Sequence, residues 1–164
     1  MLLDDALRAV PLVERFGGPV VDVGSGGGSP GIPLAAALPS REVTLLEAEW
    51  RKCDFLERWA PPNARVRWGR AEEQEPDGYG VAVAKALAQP PTAAEWCLAL
   101  VRPGGAAILW LGPTADLDRL ARVSAEVGGG PPEEHDGLVV LPKLAPTPPG
   151  FPRRAGVAKK RPLG

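Results

Sequence analysis

Apolar positions along the chain fall into two alternating patterns. Short β-branched runs, Val20-Val21-Asp22-Val23 and Val43-Thr44-Leu45-Leu46, read as buried strands. Arg65-Val66-Arg67-Trp68 is a weaker third strand and Val81-Ala82-Val83-Ala84 a fourth. Ala106 to Leu111 is a fifth, and Leu138-Val139-Val140-Leu141 is the last. Helix-like stretches lie between them. Ser29 is expected to cap a helix that has Pro30 in its first turn and runs on through Leu34 to Leu38. In the stretch Trp50 to Trp59, the threefold spacing of Trp50, Cys53, Leu56 and Trp59 predicts one inward side. A helix from Thr92 to Val101 ends at Arg102-Pro103-Gly104-Gly105. Another, Asp116 to Val127, is expected to start from a Thr114 cap and to bury Leu117, Leu120, Ala121 and Ser124. Residues 1–17 read as one short helix with Leu3, Leu7, Val10 and Val13 inward. Residues 69–80 are expected to be mostly loop, and the short segment 128–137 irregular.

Strands that alternate with helices need crossover connections, so the sheet should be largely parallel. Crossovers are right-handed, which puts helices on both faces. The expectation is therefore an α/β fold in a single domain over residues 1–164, with a Pro-rich basic carboxyl segment over 142–164. Gly and Pro, 20 of each, cluster between the apolar runs and punctuate them.

Charge adds an asymmetry. Lys and Arg total 19 against 20 Asp and Glu, but Arg153, Arg154, Lys159, Lys160 and Arg161 crowd the last 14 residues with no acid among them. The rest of the chain is acidic. A basic end of this kind suits phosphate, although a solvated tail has the same composition. No apolar run is long enough to span a bilayer and the start lacks a basic signal region, so a cytoplasmic protein is expected. Two cysteines, Cys53 and Cys97, form no disulfide framework, and with His135 as the sole histidine no metal site is expected. The tryptophans Trp50, Trp59, Trp68, Trp96 and Trp110 could stack on bases, but their places in helices and strands put most of them in the core.

The most informative segment runs from Asp22 to Gly31, Asp-Val-Gly-Ser-Gly-Gly-Gly-Ser-Pro-Gly. It follows a strand and opens a helix, where ligands bind in doubly wound sheets and where free N–H groups favour an anion. A Walker loop would need Gly-Lys-Ser/Thr, which is absent. The dinucleotide pattern fits only if it starts late, at Gly26. Acidic-x-Gly-x-Gly-x-Gly fits from Asp22 through Gly28 and resembles the first motif of class I S-adenosylmethionine-dependent methyltransferases. Glu47, ending the second strand, could accept from two ribose hydroxyls, a device shared with NAD enzymes.

Residues 21–35, Val-Asp-Val-Gly-Ser-Gly-Gly-Gly-Ser-Pro-Gly-Ile-Pro-Leu-Ala, closely resemble the signature of the small-subunit ribosomal RNA methyltransferase G family, also called glucose-inhibited division protein B. Gly69-Arg70-Ala71-Glu72-Glu73 resembles the family's third motif, and the run from Pro146 to Val157 with Lys160-Arg161-Pro162-Leu163 resembles the family's basic end. The resemblance implies a class I, Rossmann-like methyltransferase fold. It implies methyl transfer from S-adenosylmethionine to N7 of a guanosine in 16S rRNA, with free rRNA or the small ribosomal subunit as partner and a monomeric enzyme. Carried over by position, it assigns Gly24, Gly26, Ser29, Glu47, Ala71, Glu72 and Lys85 to the cofactor, and Arg153, Arg154, Lys160 and Arg161 to RNA. It implies no catalytic acid or base. Gln89-Pro90-Pro91-Thr92 lacks the acid or amide and the ring of the amino-methylating motif.

The chain departs from the family in places. Lys85 stands where Arg is usual, Ser29 where a large apolar residue is, and Leu111 where Lys is. It begins almost inside the last helix of the family's amino-terminal region, and residues 128–137 lack the expected penultimate strand. These departures leave two alternatives open: a methyltransferase for another RNA or a small molecule, and a non-catalytic RNA-binding relative.

Overall fold

A computed structural model describes residues 2–164. Its seven strands are β1 (Val20–Val23), β2 (Val43–Glu47), β3 (Ala64–Trp68), β4 (Tyr79–Lys85), β5 (Val101–Trp110), β6 (Glu133–His135) and β7 (Leu138–Pro142). They form one sheet in the order β3-β2-β1-β4-β5-β7-β6. The first five run parallel, while β7 pairs antiparallel with β5 and β6 antiparallel with β7. The strand order reverses between β1 and β4, which opens a crevice at their carboxyl ends.

Helices α1 (Leu2–Leu7), α2 (Val10–Glu14), α3 (Gly31–Ala37), α4 (Trp50–Trp59), α5 (Pro90–Leu100), α6 (Leu117–Glu126) and α7 (Val157–Lys160) surround the sheet, with a 3-10 turn at Ala71–Glu73. Period-two alternation sorts the strand side chains between two cores. Val21, Ala82, Ala84, Ala107 and Leu109 pack with Leu98 of α5 and with Leu120 and Val123 of α6. Val20, Val81, Val83, Ala106 and Ile108 pack on the other face with Leu12, Val13, Leu34 and Leu56. α5 is apolar nearly all round, and nine of its eleven residues are buried. A helix of that kind belongs inside a fold.

Several local expectations need correction. In place of one helix there are two short ones, α1 and α2, and it is Ala6, Ala9, Leu12 and Val13 that turn inward while Leu3 is exposed. α3 begins at Gly31, after a cis Ser29–Pro30 bond, and Ser29 caps nothing. Asp116 caps α6, its side chain accepting from the Arg119 N–H at 3.0 Å; Thr114 lies too far ahead. The buried face of α6 is Leu120, Val123 and Ser124. Residues 133–135 do form a penultimate strand, too short and polar to read from pattern.

The tryptophans correct the largest expectation. Trp50, Trp59 and Trp68 are 62–64% exposed. A three-residue step on a helix of about 100° per residue slips back roughly 60° each time, so Trp50 and Trp59 end on opposite flanks, about 180° apart. Only Cys53 and Leu56, in the middle of that series, face the sheet. No helix among the described residues is long and apolar enough to cross a membrane.

Candidate functional site

A cleft of about 610 Å³ lies at the carboxyl ends of β1, β2 and β4. Asp22, wholly buried in β1, holds its floor from below: Oδ2 accepts from the Gly31 N–H at 2.9 Å, and its carbonyl accepts from the Ser25 hydroxyl at 3.1 Å. The N–H groups of Gly24 and Ser25 donate to the Leu46 carbonyl at 2.8 and 3.0 Å, tying the loop to β2. Gly24 has φ +71°, and a Cβ there would lie 2.4 Å from Leu87 Cδ1. Only glycine lets the backbone turn and pass Leu87 at that point.

Glu47 is nearly buried at the end of β2. Its Oε1 accepts from the Gly26 N–H and its Oε2 from the Glu49 N–H, both at 2.8 Å. The two bonds fix the carboxylate in the cleft wall and leave each oxygen a further lone pair. Lys85, half-buried at the end of β4, places its ammonium 2.6 Å from Asp5 of α1. Ala71 is buried in the 3-10 turn, and the adjacent Glu72 accepts from the Gly156 N–H at 2.9 Å.

The structure thus brings Gly24, Gly26, Ser29, Glu47, Ala71, Glu72 and Lys85 to one cleft. It adds Lys52, Leu87, Trp96 and Lys159 to the lining, none of them assigned to the cofactor from the sequence. Trp96 lies in α5, where the sequence shows only an apolar helix, and Lys159 arrives from the far end of the chain.

Two polar groups on this lining, Ser29 Oγ and Trp96 Nε1, are buried without a hydrogen-bond partner among the described residues, and Asp22 Oδ1 beneath the loop shares that state. A buried unpaired polar group costs about 1–3 kcal/mol, so three around one cleft mark a place for a polar ligand. The group that the glycine motif implies, an adenosine joined to an amino-acid chain, fits these donors and acceptors. Its hydroxyls match Glu47, and the volume lies in the range of small-molecule sites.

A smaller cavity of about 170 Å³ adjoins the cleft and shares Ala86 and Leu87 with it. Pro90, Leu109, Trp110 and Leu111 contribute to its walls, and no titratable side chain lines it. Leu111, one of the departures noted above, therefore contributes apolar wall here.

The basic end is docked. The Thr92 hydroxyl donates to the Ala158 carbonyl at 3.0 Å, and α7 packs on α5. Arg153 is committed to the protein interior: its guanidinium donates to both carboxylate oxygens of Glu95, which is buried. That pairing removes it from the surface cations that sequence assigns to RNA. Arg154, Lys160 and Arg161 are exposed, as the RNA assignment needs.

Residues 1–124 match the family model GidB, described as rRNA small subunit methyltransferase G. The chain is 38% identical to the ribosomal RNA small subunit methyltransferase G of Pelotomaculum thermopropionicum, covering 96% of this chain and 74% of that protein. It is 40% identical to the protein of the same name from Rubrobacter xylanophilus, covering 91% of this chain and 66% of that protein. Its fold is similar to that of a T. thermophilus 16S rRNA N2 G1207 methyltransferase solved with AdoMet and guanosine. There the TM-score is 0.67 at 20% identity, over 90% of this chain and 40% of that one.

Proposed function

We propose that this chain, which belongs to the rRNA small subunit methyltransferase G family, transfers a methyl group from S-adenosylmethionine to N7 of a guanosine in 16S rRNA. The observation that carries the reading is the Glu47 carboxylate, held by Gly26 and Glu49 above a loop that admits only glycine at position 24.

When bound, S-adenosylmethionine supplies the electrophilic methyl group. The chain's own residues hold and orient. Glu47 accepts from ribose hydroxyls through its remaining lone pairs. Ala71 offers an apolar contact to the adenine, beside Glu72. Ser29 Oγ and Trp96 Nε1 gain the partners they lack within the protein. Lys85 presents a cation to the amino-acid end of the cleft. The acceptor guanine seats in the adjoining cavity beside Pro90, Leu109, Trp110 and Leu111.

Guanine N7 carries an in-plane lone pair and no proton at neutral pH, so the attack needs no general base. Cavity walls without a titratable group suit that chemistry. The enzyme's contribution is proximity and in-line alignment of the two reacting atoms. Exposed Arg154, Lys160 and Arg161 neutralise rRNA phosphates, which makes binding salt-dependent. A cytoplasmic, monomeric protein acting on small-subunit rRNA goes with this reading.

The test is methyl transfer from labelled S-adenosylmethionine to small ribosomal subunits that lack the modification, followed by digestion and mass spectrometry of the nucleosides. Labelled 7-methylguanosine at one position is expected. Folded, cofactor-binding protein that leaves the rRNA unlabelled would overturn the assignment.

A further inference from the structure

Beside the cleft lies a surface that the methyl-transfer reading does not use. Trp50 opens α4 and Trp68 ends β3, and the two rings meet edge to face with centroids 5.1 Å apart. Both are more than 60% exposed. The Trp68 indole N–H donates to the Ala48 carbonyl at 3.0 Å, so its ring is held in place and its conformational entropy is already lost. Large rigid aromatic faces left to water mark binding surfaces more than packing.

The charge is balanced on the α4 side of the pair and basic along β3. On α4, Lys52 pairs with Glu49 at 2.7 Å and Arg58 with Asp54 at 3.3 Å. Residues 64–70 carry Arg65, Arg67 and Arg70 with no acid among them, and all three arginines are exposed. Arg65 and Arg67 alternate with Trp68 and so project around the other side of the open β3 edge, while Arg70 lies 3.9 Å from Glu73. β3 is the outer strand of the sheet, so its second edge carries no strand. The surface continues into the cleft, whose lining includes Lys52, Gly69 and Arg70.

We propose that the Trp50–Trp68 pair, with Arg65 and Arg67 around the open edge of β3, forms a stacking site for a single-stranded stretch of RNA flanking the methylated nucleotide. This rests on the proposed RNA substrate and adds a second contact surface to it. Aromatic faces on one side of a strand edge can stack bases while arginines on the other side neutralise the phosphates, with little sequence preference. A second copy of the chain fits less well. Pairing two β3 edges would bring Arg65 and Arg67 against their own counterparts, a like-charge contact that sheets avoid.

The experiment measures fluorescence anisotropy of a short fluorescein-labelled oligoadenylate with the full chain, alongside S-adenosylhomocysteine affinity as the check on fold. Trp50→Ala and Trp68→Ala should each weaken the oligonucleotide about 5- to 100-fold and leave S-adenosylhomocysteine affinity unchanged. Trp68→Phe should retain most of the affinity, because it keeps a π-face. Trp59→Ala, on the opposite flank of α4, should change nothing. Arg65→Ala and Arg67→Ala should each flatten the salt dependence by about 0.7 in slope.

Unchanged affinity in folded Trp50→Ala and Trp68→Ala variants would overturn the proposal, as would a wild-type chain that ignores the oligonucleotide at low salt. A wild-type dimer that these substitutions dissociate would assign the surface to a second copy instead. Methyl transfer to ribosomal subunits is read separately. Its absence would overturn the transferase reading whatever the oligonucleotide does, and its presence with indifferent tryptophans would overturn only this one.

Discussion

Arg153 grips Glu95 with two hydrogen bonds, Nε to Oε2 at 2.8 Å and Nη2 to Oε1 at 2.5 Å, across 58 residues of chain. Glu95 is 2% exposed in the middle of α5, so its charge has little water to turn to. The same guanidinium donates to the Arg161 carbonyl at 3.0 Å, so one side chain fastens the carboxyl segment at two points. Glu95 also holds the guanidinium firmly protonated, raising its pKa above the usual arginine value.

Arg153→Ala is expected to destabilise the chain by about 3 kcal/mol, because it strands a buried carboxylate. Pairing it with Glu95→Gln should recover part of that loss, which a double-mutant cycle in urea would read. The salt slope of RNA binding should stay unchanged in Arg153→Ala and fall by about 0.7–0.9 in each of Arg154→Ala, Lys160→Ala and Arg161→Ala.

Asp22 gives the stability a pH dependence of its own. Burial raises its pKa to about 7, against the neighbouring Ser25 hydroxyl and the Gly31 N–H, which lower it. The folded chain therefore holds a proton between about pH 4 and 7 that the unfolded chain has released. Stability is expected to fall across that window as pH rises, by up to about 1.4 kcal/mol per unit. Asp5 and Asp77 are held below the usual range, Asp5 chiefly by Lys85, and Asp77 by Thr147 and Lys143 against an opposing burial effect. Both act in the opposite sense, losing their contribution as pH falls below about 4. Asp22→Asn, whose amide oxygen can still accept from Gly31, should flatten the slope in urea titrations at about pH 5 and about pH 8.

The pair between Asp5 and Lys85 reaches from α1 into the cleft. Asp5→Asn releases the ammonium from a competing carboxylate. It should tighten S-adenosylhomocysteine, which carries a carboxylate, by about threefold, and leave adenosine unchanged; a half-exposed pair is worth under about 1 kcal/mol. Calorimetric titration of both ligands would check it, and equal gains for both would separate Lys85 from the amino-acid end.

Gly24→Val meets two obstacles at once, φ +71° and a contact 2.4 Å from Leu87 Cδ1. Binding of S-adenosylhomocysteine is expected to be lost. Leu87→Ala in the same chain should restore folding more than binding, because the added side chain still occupies the cleft. Retained affinity in folded Gly24→Val would remove the cofactor assignment from this loop.

What the sequence made legible is what neighbours in sequence decide. The strand runs, the glycine loop and Glu47 all depend on residues a few positions apart, and they converge on one cleft. The ties that complete the site join residues far apart: Asp5 with Lys85, Glu72 with Gly156, and Glu95 with Arg153. Nothing in local pattern distinguishes Arg153, turned inward, from exposed Arg154 beside it. Lys143 is the plainest instance. It is buried because Asp77, Thr147 and the carbonyls of Leu98 and Val101 surround its ammonium within 3.0 Å, a cage built from four separate places in the chain.

Helix α1 reaches the cleft through Asp5, and α7 reaches it through Lys159, with Gly156 and Ala158 fastened to Glu72 and Thr92 behind it. Two short helices far apart in sequence, α1 and α7, therefore meet at one cleft. A substitution that loosens either helix is thus expected to change ligand affinity as well as stability.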